Sequence, residues 1–514
     1  MNHILQILAL FISCIAGHDF YYLLQKKSMY EQTIKYRAEK INTNSSLIRY
    51  KSLDQEVVLQ ELEIQGTIPQ WLEGTLVRNG PAKFETDSEV VSHLFDGYAM
   101  LHAFSCKDGK VFYTNKFLES NYYTHAIKTG KIAKGFMQDP CKLIFAKFFS
   151  YFFSQTVDYD NANVNVAKIA DEFVALTETP LPITFDPTTL ATTGHLLFED
   201  DIQGHVTSAH PHTDFETKET FNYMTYFGKE SKYIIYSVHE SSKKRRTITS
   251  ISVEKPSYMH SFSITKNYII LTEIPFKVNP LTLLFTTKPF IKNFEWKPED
   301  GTVFTVVDRN NGDIVGRFIT EAFFTYHHVN AFEQDDSIVI DLIAYNEASK
   351  VDNHLLKHIF DETNSKIDIG LLKRFTINTT DKIVSCATII PDYYLEMPQI
   401  NYEHYTMKPY QYLYALGFLN PIDHSCLVKI NINNGSIIQW EEKDCSCGEP
   451  VFIAAPNAQD EDDGVLLSIV LDIPTQRSFL LVLDAKTCKE IGRAYVPHHI
   501  PYGLHGAFFK IIKR

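Results

Sequence analysis

The sequence predicts an all-β fold, and within that class a β-propeller with about seven blades. Phe and Tyr, which favour strands, number 36 and 28, and aromatic side chains make up 13% of the chain. Short apolar or alternating runs recur along the chain and are separated by turn residues, which is the pattern of many strands. One hairpin design also occurs three times. The strands are therefore expected to form repeated units around a common centre.

Each repeat is a hairpin followed, eighteen to twenty-one residues after the turn begins, by a side chain of the metal-ligand type. The turns and the residues that follow them are Asp308–Gly312 with His327, Asn431–Gly435 with Glu449, and Asp484–Cys488 with His505. In a propeller, the hairpin belongs to one blade and the next strand begins the following blade beside the central channel. At about sixty residues per blade, residues 74–509 supply roughly seven blades.

One large domain accounts for most of the 514 residues, because all-β folds often use several hundred residues as a single unit. We assign it to residues 51–514. Residues 18–50 form an N-terminal extension, in which YRAEK at Tyr36–Lys40 indicates a weak helix. Residues 1–17 contain the apolar run Leu5–Ala16, which is too short to span a bilayer as a helix. This run is either a signal peptide or apolar anchor, or an extension with no targeting role, because no Lys or Arg precedes it.

Charge and cysteine usage exclude other classes. The net charge is −13 and the sequence pI is about 5.9, whereas a nucleic-acid surface needs a basic face. No nucleic-acid partner is therefore expected. The eight cysteines form no CxxC pair and are too sparse for a disulfide framework.

Four of the twenty histidines stand at or near the start of apolar strands: His210, His260, His327 and His505. Each alone can be an ordinary hydrogen-bonded histidine, and together they can be ligands of one metal at the propeller axis. Both interpretations remain open at this point. Neutral imidazoles suit iron or zinc and do not suit calcium or magnesium. His328 is not included, because neighbouring residues of a strand point to opposite faces.

Carboxylates are expected to orient the imidazoles of such a site and to offset the charge of the metal. Glu178, Glu396 and Glu449 are acids with apolar neighbours that suit this role. As isolated residues, each of them also fits an ordinary surface position.

The sequence resembles the carotenoid cleavage oxygenase family, and specifically its animal branch. The matching blocks follow the family order over about residues 50–514: GTLVRNGP, HLFDGYAMLHAF, ALTET, SAHPH, SYMHSFSITKNYIILTE, FFTYHHVNAFE, LEMPQINYEHYTMKPYQYLYALG, GEPVF and PYGLHGAFF. The resemblance implies a seven-bladed β-propeller with an axial metal site and a lipid-facing apolar cap. It also implies one Fe(2+) per chain bound by His210, His260, His327 and His505, with Glu178, Glu396 and Glu449 hydrogen-bonded to three of them. Val164, in NANVNV, corresponds to a residue close to an open coordination position for dioxygen.

Membrane association follows from the same resemblance. MQDPCK, at residues 137–142, is similar to a signature of the animal branch and makes Cys141 a candidate lipidation site. The apolar stretches at about residues 141–153 and 278–290 stand where related enzymes face the membrane around a substrate tunnel. We expect the enzyme at a membrane, on the cytosolic face or at the endoplasmic reticulum. A functional signal peptide would instead indicate a secretory route.

The function implied by the resemblance is iron(II)-dependent oxidative cleavage of a carotenoid double bond by dioxygen. The first expectation is cleavage of the 15,15′ bond of β-carotene to give retinal. The alternatives are eccentric 9′,10′ cleavage, isomerohydrolysis of a retinyl ester at the same iron site, and a carotenoid-binding protein without catalysis. The metal motifs are shared by these activities and do not separate them.

Overall fold

A computed structural model describes residues 26–133, 135, 137, 159–285, 288–361, 370–391, 393–420 and 424–510. Strands dominate these residues and the helices among them are few, which confirms the all-β prediction. The possible signal peptide at 1–17, the membrane segment 141–153 and Cys141 lie outside the described residues.

The strands near the two ends of the chain belong to two sheets. The first contains β1 Val57–Glu61, β3 Gly74–Lys83, β4 Tyr98–Lys107, β5 Lys110–Phe117 and β34 Gly506–Lys510. The second contains β2 Glu63–Gly66, β29 Cys445–Cys447, β30 Val451–Ala454, β31 Gly464–Asp472, β32 Arg477–Asp484 and β33 Glu490–Tyr495. Because β34 pairs with β3, and β2 pairs with β33, the end of the chain is joined to its beginning.

The intervening strands form further antiparallel sheets. Three of these have four or five strands: β6 Asn165–Ile169, β7 Glu172–Leu176, β8 Ile183–Phe185 and β9 Thr192–His195; β10 Val206–Thr207, β11 His212–Asp214, β12 Glu219–Tyr226, β13 Ser231–His239 and β14 Arg246–Val253; β15 Ser263–Ile264, β16 Tyr268–Glu273, β19 Thr302–Asp308 and β20 Ile314–Thr320. A small pair lies beside the third, β17 Phe276–Val278 and β18 Phe294–Trp296. The largest sheet contains β21 His328–Gln334, β22 Ser337–Ala344, β23 Leu371–Asn378, β24 Ile383–Thr388, β25 Tyr394–Gln399, β26 Tyr412–Asn420, β27 His424–Asn431 and β28 Ile437–Trp440.

Apart from the helix at residues 26–43, the helices are short and lie between strands or before them. The α-helices are α1 Asn121–Thr129, α2 Pro280–Phe285, α3 Leu356–Ile359 and α4 Tyr402–Tyr405, and residues 26–43 are also helical. The 3-10 helices are Ser45–Tyr50, Leu94–Asp96, Phe290–Asn293, Pro298–Asp300 and Ala348–His354.

The three hairpins seen in the sequence are present and share one turn geometry. They join β19 to β20, β27 to β28, and β32 to β33. In each turn, the backbone N–H of the fifth residue donates to the carbonyl of the first. That fifth residue has a positive φ, of 82° at Gly312, 73° at Gly435 and 52° at Cys488. The hairpin repeat is therefore a structural repeat as well as a sequence pattern.

The core lies between neighbouring sheets, and β32 shows how the sequence builds it. Six consecutive residues of this strand are buried, because both faces of its sheet are covered. Phe479 and Leu481 pack into one apolar cluster, whereas Leu480 and Val482, on the other face, pack into a second. Burial of each such side chain contributes about 1.5–3 kcal/mol.

The helix at residues 26–43 includes the helix predicted at YRAEK and packs against the domain that follows it. The Tyr30 hydroxyl donates to the Thr86 carbonyl at 2.9 Å. The Arg37 guanidinium donates to the Val91 carbonyl at 2.9 Å and lies over the Phe360 ring. The described part of the N-terminal extension is thus in contact with the domain that follows it.

Candidate metal centre

The four histidines singled out in the sequence meet at one point. Their donor nitrogens all lie within 4.8 Å of one another. The Nε2 atoms of His210 and His260 are 3.0 Å apart, and those of His327 and His505 are 3.1 Å apart. No other group of the described residues brings four imidazoles together.

Each of these histidines comes from a different sheet and precedes a strand. His210 lies between β10 and β11, and His260 lies shortly before β15. His327 and His505 come immediately before β21 and β34. The convergence of strand starts expected for a propeller axis is therefore what brings residues 210 and 505 into contact.

Three carboxylates hold the rings from behind. The Nδ1 atoms of His260, His327 and His505 lie 2.6, 2.5 and 2.7 Å from carboxylate oxygens. The three partners are Glu178, Glu396 and Glu449, in that order. Since a carboxylate only accepts, Nδ1 carries the proton and the lone pair is on Nε2, which faces the centre. His210 has no such partner among the described residues.

The carboxylates have partners of their own, which differ among the three. Tyr258 donates its hydroxyl to Glu178 at 2.7 Å. Glu396 accepts from the Tyr345 hydroxyl and from the backbone N–H of Met397. Each of these two carboxylates is thus held by neutral donors besides its histidine.

Glu449 alone has a cation. It pairs with the Arg78 guanidinium, and both side chains are almost fully buried, at 5% and 1% exposure for Arg78 and Glu449. Arg78 also donates to the Leu504 carbonyl at 2.7 Å, next to His505. Burial alone would raise the pKa of Glu449, but His505 and Arg78 outweigh it and lower the pKa to about 2.

The electrostatics favour a neutral imidazole at His210 and at His505. Burial, followed by the other three imidazoles, holds the pKa of His210 well below its usual range. Burial also lowers the pKa of His505, although Glu449 opposes it. At His327 the carboxylate of Glu396 outweighs burial, so the pKa is raised. Glu396 is itself ionised: burial alone would raise its pKa, but His327, the Tyr345 hydroxyl and the Met397 N–H together lower it to about 2.

The donor set fits a metal cation. Two imidazole lone pairs about 3 Å apart repel each other unless a proton or a cation lies between them. Here the Nδ1–H groups of three rings are already directed to carboxylates, which leaves their Nε2 atoms as ligands. Neutral imidazoles of this kind suit iron or zinc.

A cavity of about 170 Å³ adjoins the four histidines. His260, His327 and His505 form part of its wall, together with Glu178 and Glu396. The rest of the wall is mainly aromatic or apolar: Phe95, Met137, Tyr159, Val164, Tyr326, Tyr345, Met397, Phe418, Tyr502 and Leu504. The metal centre therefore opens onto a space suited to an apolar molecule.

Val164 lies in this wall and is 7% exposed. Its carbonyl accepts a hydrogen bond from the backbone N–H of His505 at 3.1 Å. His328, which was set aside in the sequence, turns its Nδ1 to the Ser263 hydroxyl at 2.6 Å. The role of Val164 beside an oxygen site stays a prediction.

The apolar stretch at 278–290 is described in part. It contains α2, where Leu281 is 63% exposed, and the beginning of the 3-10 helix Phe290–Asn293. Among the residues that the structure describes, no helix combines the length and apolar character needed to cross a membrane.

Sequence reasoning missed the residues that support the carboxylates. Arg78 lies in the block GTLVRNGP and Tyr258 precedes His260 by two residues, so both were near recognised positions. Tyr345 has no such signal, because it reaches Glu396 from the end of another strand.

Comparisons with known proteins agree with this geometry. The model of a family described as retinal pigment epithelial membrane protein matches residues 50–510. The chain is 34% identical over 502 residues to the beta,beta-carotene 15,15′-dioxygenase of Gallus gallus, covering 87% of this chain and 94% of that protein. It is 31% identical over 511 residues to the mitochondrial carotenoid-cleaving dioxygenase of Homo sapiens, covering 87% and 88%.

Solved structures also resemble this protein. A crystal structure of cobalt-substituted Synechocystis ACO, an apocarotenoid oxygenase, superposes with a TM-score of 0.80 at 27% identity, covering 91% of this chain and 98% of that chain. A chimera of ACO and RPE65 also superposes with a TM-score of 0.80, at 28% identity and with the same coverage. The resemblance noted in the sequence is confirmed, as is the β-propeller fold that these structures share. This chain belongs to the carotenoid oxygenase family, a family of oxygenases.

Proposed function

We propose that this enzyme uses one iron(II) ion to cleave a carotenoid double bond with dioxygen. The reaction we propose is cleavage of the 15,15′ bond of β-carotene to give retinal. The observation that carries the proposal is the group of four imidazoles, three of them braced by carboxylates, at the wall of an apolar cavity. The relatives named as carotene dioxygenases support the choice of substrate class. The cobalt-substituted relative supports a transition metal in such a site.

His210, His260, His327 and His505 would hold the iron through their Nε2 atoms. When bound, iron supplies a site that binds and activates dioxygen. The protein keeps the rings in place: Glu178, Glu396 and Glu449 retain the Nδ1 protons and fix the tautomer of three ligands. No side chain need act as a general acid or base.

The cavity positions the polyene and excludes water. The Tyr326 ring belongs to the cavity wall and contacts His260, with ring centroids 5.0 Å apart. Faces of such rings attract positive charge that develops on a polyene as it is oxidised. Tyr345 and Phe95 extend this aromatic surface.

Val164 is proposed to limit the space beside an open coordination position. Its side chain is buried in the cavity wall, and its backbone is fixed to that of His505. A β-branched side chain at this place restricts where a small second ligand fits. The substrate and dioxygen would then occupy separate regions.

The experiment is incubation of iron-loaded protein with β-carotene under oxygen, with the products separated by chromatography and an anaerobic sample as control. Retinal as the sole oxygen-dependent product is expected. Apo-10′-carotenal would contradict central cleavage and indicate the eccentric reaction. Retinol isomers formed from a retinyl ester, with no product from any carotenoid, would contradict the dioxygenase proposal. Saturable carotenoid binding without any product would indicate a binding protein.

The sheets are proposed to form seven blades. Six sheets have four or more strands, and the eight-stranded sheet is joined at its middle by a single residue pair, Leu371 with Tyr394. Division at that pair gives two blades of four strands each, β21–β24 and β25–β28. An experimental structure that counts blades around the axis tests this division.

Membrane association is also a proposal, with the cytosolic face or the endoplasmic reticulum as the location. The exposed Leu281 on α2 supports it, because an exposed leucine in the apolar stretch 278–290 suits an interfacial contact. Co-sedimentation with lipid vesicles is expected and should weaken in Leu281→Gln. Ile383→Gln, at a similarly exposed residue of β24, is the control and should not weaken it. Equal loss in both variants, or no binding at all, would contradict the proposal.

A further inference from the structure

The strands that follow the four metal ligands, β11, β15, β21 and β34, belong to four different sheets. In the described part of the chain, therefore, no ladder of backbone hydrogen bonds fixes these strands relative to one another. A carboxylate behind a ring fixes the direction of that ring, but the distance between two ligands depends also on where their backbones lie. Other contacts must set the 3.0 Å between the Nε2 atoms of His210 and His260.

Ser208 joins the backbones of the first two ligands. Its hydroxyl donates to the His260 carbonyl at 2.6 Å and accepts from the backbone N–H of His210 at 3.0 Å. The residue is 1% exposed, so both bonds are shielded from water. The carbonyl of Ser208 in turn accepts from the side-chain amide of Asn222 at 2.9 Å, which holds the serine itself in place. One hydroxyl thus connects two ligands that come from different sheets.

A second contact joins the same two segments on the other side of His210. The Nε2–H of His212 donates to the Phe262 carbonyl at 2.8 Å, and Nδ1 accepts from the Tyr402 hydroxyl at 2.8 Å. Ser208 and His212 lie two residues before and two residues after His210. His210, which has no carboxylate among the described residues, is therefore held through its chain neighbours on both sides.

Ser261 connects the second ligand to the third. This residue directly follows His260, and its hydroxyl donates to the carbonyl of Tyr326, one residue before His327. Ser261 is also buried, so water does not compete for this carbonyl. His260 is thus tied on one side through its own carbonyl and on the other side through the next residue.

Asn165 brings the fourth ligand into the same set of contacts. Its side-chain amide donates at 3.0 Å to the carbonyl of Ala209, one residue before His210. The residue before it, Val164, accepts from the backbone N–H of His505 at 3.1 Å. This asparagine and the two serines therefore link the backbones of the four ligands in order around the centre.

We propose that Ser208 and Ser261 are positioning residues, which set the distances between three of the metal ligands through the backbone. This role rests on the proposed function only in taking the four imidazoles as metal ligands. Each serine satisfies a buried carbonyl, and alanine in its place would leave that carbonyl without a donor, so the ligand segment would no longer be held at its present distance. Ser208 should matter most, because its hydroxyl makes two of the bonds.

Cobalt(II) tests this role without oxygen or turnover. Metal-free protein is titrated with cobalt(II), whose visible absorption bands report both the affinity and the arrangement of the ligands. Ser208→Ala should raise the Kd for cobalt by about 10- to 100-fold, and Ser261→Ala by about tenfold. At saturation, the bands of both variants should differ from those of the wild type in position or intensity. A variant that only loses stability keeps the wild-type bands once it is saturated.

Ser231→Ala is the matched control. Ser231 is buried to a similar extent, and its hydroxyl also bridges a backbone N–H and a carbonyl, both of Gly228, at 3.2 and 3.3 Å. This variant should lower the thermal unfolding midpoint of the metal-free protein but leave the cobalt Kd and the bands unchanged. The same midpoint measurement establishes that each of the other variants is folded.

Wild-type affinity and bands in both folded serine variants would overturn the proposal, as would an equal change in Ser231→Ala. A wild type that binds no cobalt would overturn the assignment of the metal centre itself, and the proposed function with it. A protein that binds cobalt and responds to Ser208→Ala and Ser261→Ala, yet cleaves no carotenoid, would contradict the proposed function alone.

Discussion

The histidines at the two ends of the cavity differ in the groups that hold them in place. At the metal centre, the Nδ1 atoms of three histidines are bound to carboxylates, and those carboxylates are held by Tyr258, Tyr345 and Arg78. At the Phe95 end, His354 has no carboxylate partner among the described residues, and its ring packs against Phe95 and Tyr326. A fully paired ring is fixed in tautomer and position, as a metal ligand must be. At His354, burial and the nearby Lys350 and His93 lower the pKa to about 3, so the ring is neutral without a carboxylate.

The largest expected effect is at the metal end. His260→Ala removes one of the four ligands and should abolish iron retention, measured by metal analysis after desalting, together with turnover. His328→Gln is the matched control, because this half-buried histidine adjoins His327 but bonds to Ser263. Iron and turnover that survive unchanged in His260→Ala would show that the ligand assignment is wrong.

The carboxylates allow a finer comparison, because only Glu449 neutralises a buried cation. Glu449→Gln and Glu178→Gln should each weaken iron binding by about 10- to 100-fold, since each loosens one ligand. Glu449→Gln also leaves the Arg78 guanidinium unpaired, and should lower the free energy of unfolding by roughly 3–5 kcal/mol. Glu178→Gln, with the Tyr258 hydroxyl as its other neighbour, should cost about 1 kcal/mol.

Denaturant unfolding of the two iron-free variants measures this difference. Equal destabilisation would mean that the Arg78–Glu449 pair does not act as a buried ion pair. Glu449→Gln with undiminished iron affinity would contradict the role of the carboxylate in holding His505.

A substitution of Val164 tests the role of the cavity wall beside His505. Val164→Phe fills part of the cavity beside His505 and should slow turnover about tenfold or more, with a stability cost of roughly 1–3 kcal/mol from overpacking. Iron content should stay the same, because no ligand is changed. Full activity in a folded Val164→Phe variant would remove Val164 from the proposed oxygen site.

The smallest effect concerns pH at the His354 end. The pKa of this ring is lowered from 6.5 to about 3, so in the folded protein it stays neutral between about pH 5 and 8. The Kd for β-carotene, measured without oxygen by quenching of protein fluorescence, should therefore be flat over that range. His93, Lys350 and Glu396 are the titratable groups whose charges act on it. A Kd that changes with a midpoint near 6.5 would show that the ring is protonated in the folded protein.

The same lowered pKa makes the free energy of unfolding depend on pH. Below pH 6.5 the unfolded chain binds a proton at His354 that the folded protein does not, so this residue lowers stability as the pH falls. His354→Phe should therefore lose less stability than the wild type between about pH 7 and 5.

The metal end was predictable from the sequence and the cavity end was not. His210, His260, His327, His505 and their glutamates stand at strand starts or in recognisable blocks, and the strand geometry carries them to one place. The partners behind them depend on pairing between distant segments, as Arg78 and Glu449 show, which are 371 positions apart in the sequence. His354 lies in a 3-10 helix without a periodic pattern, so nothing local in the sequence indicates that its ring faces the cavity.

The central claim is that one iron ion is held by the four histidines. Anomalous diffraction from crystals of the iron-loaded protein, recorded on both sides of the iron absorption edge, tests it directly. One iron peak per chain is expected, within bonding distance of the Nε2 atoms of His210, His260, His327 and His505. A peak elsewhere, or no peak at these nitrogens in iron-loaded and active protein, would contradict the account.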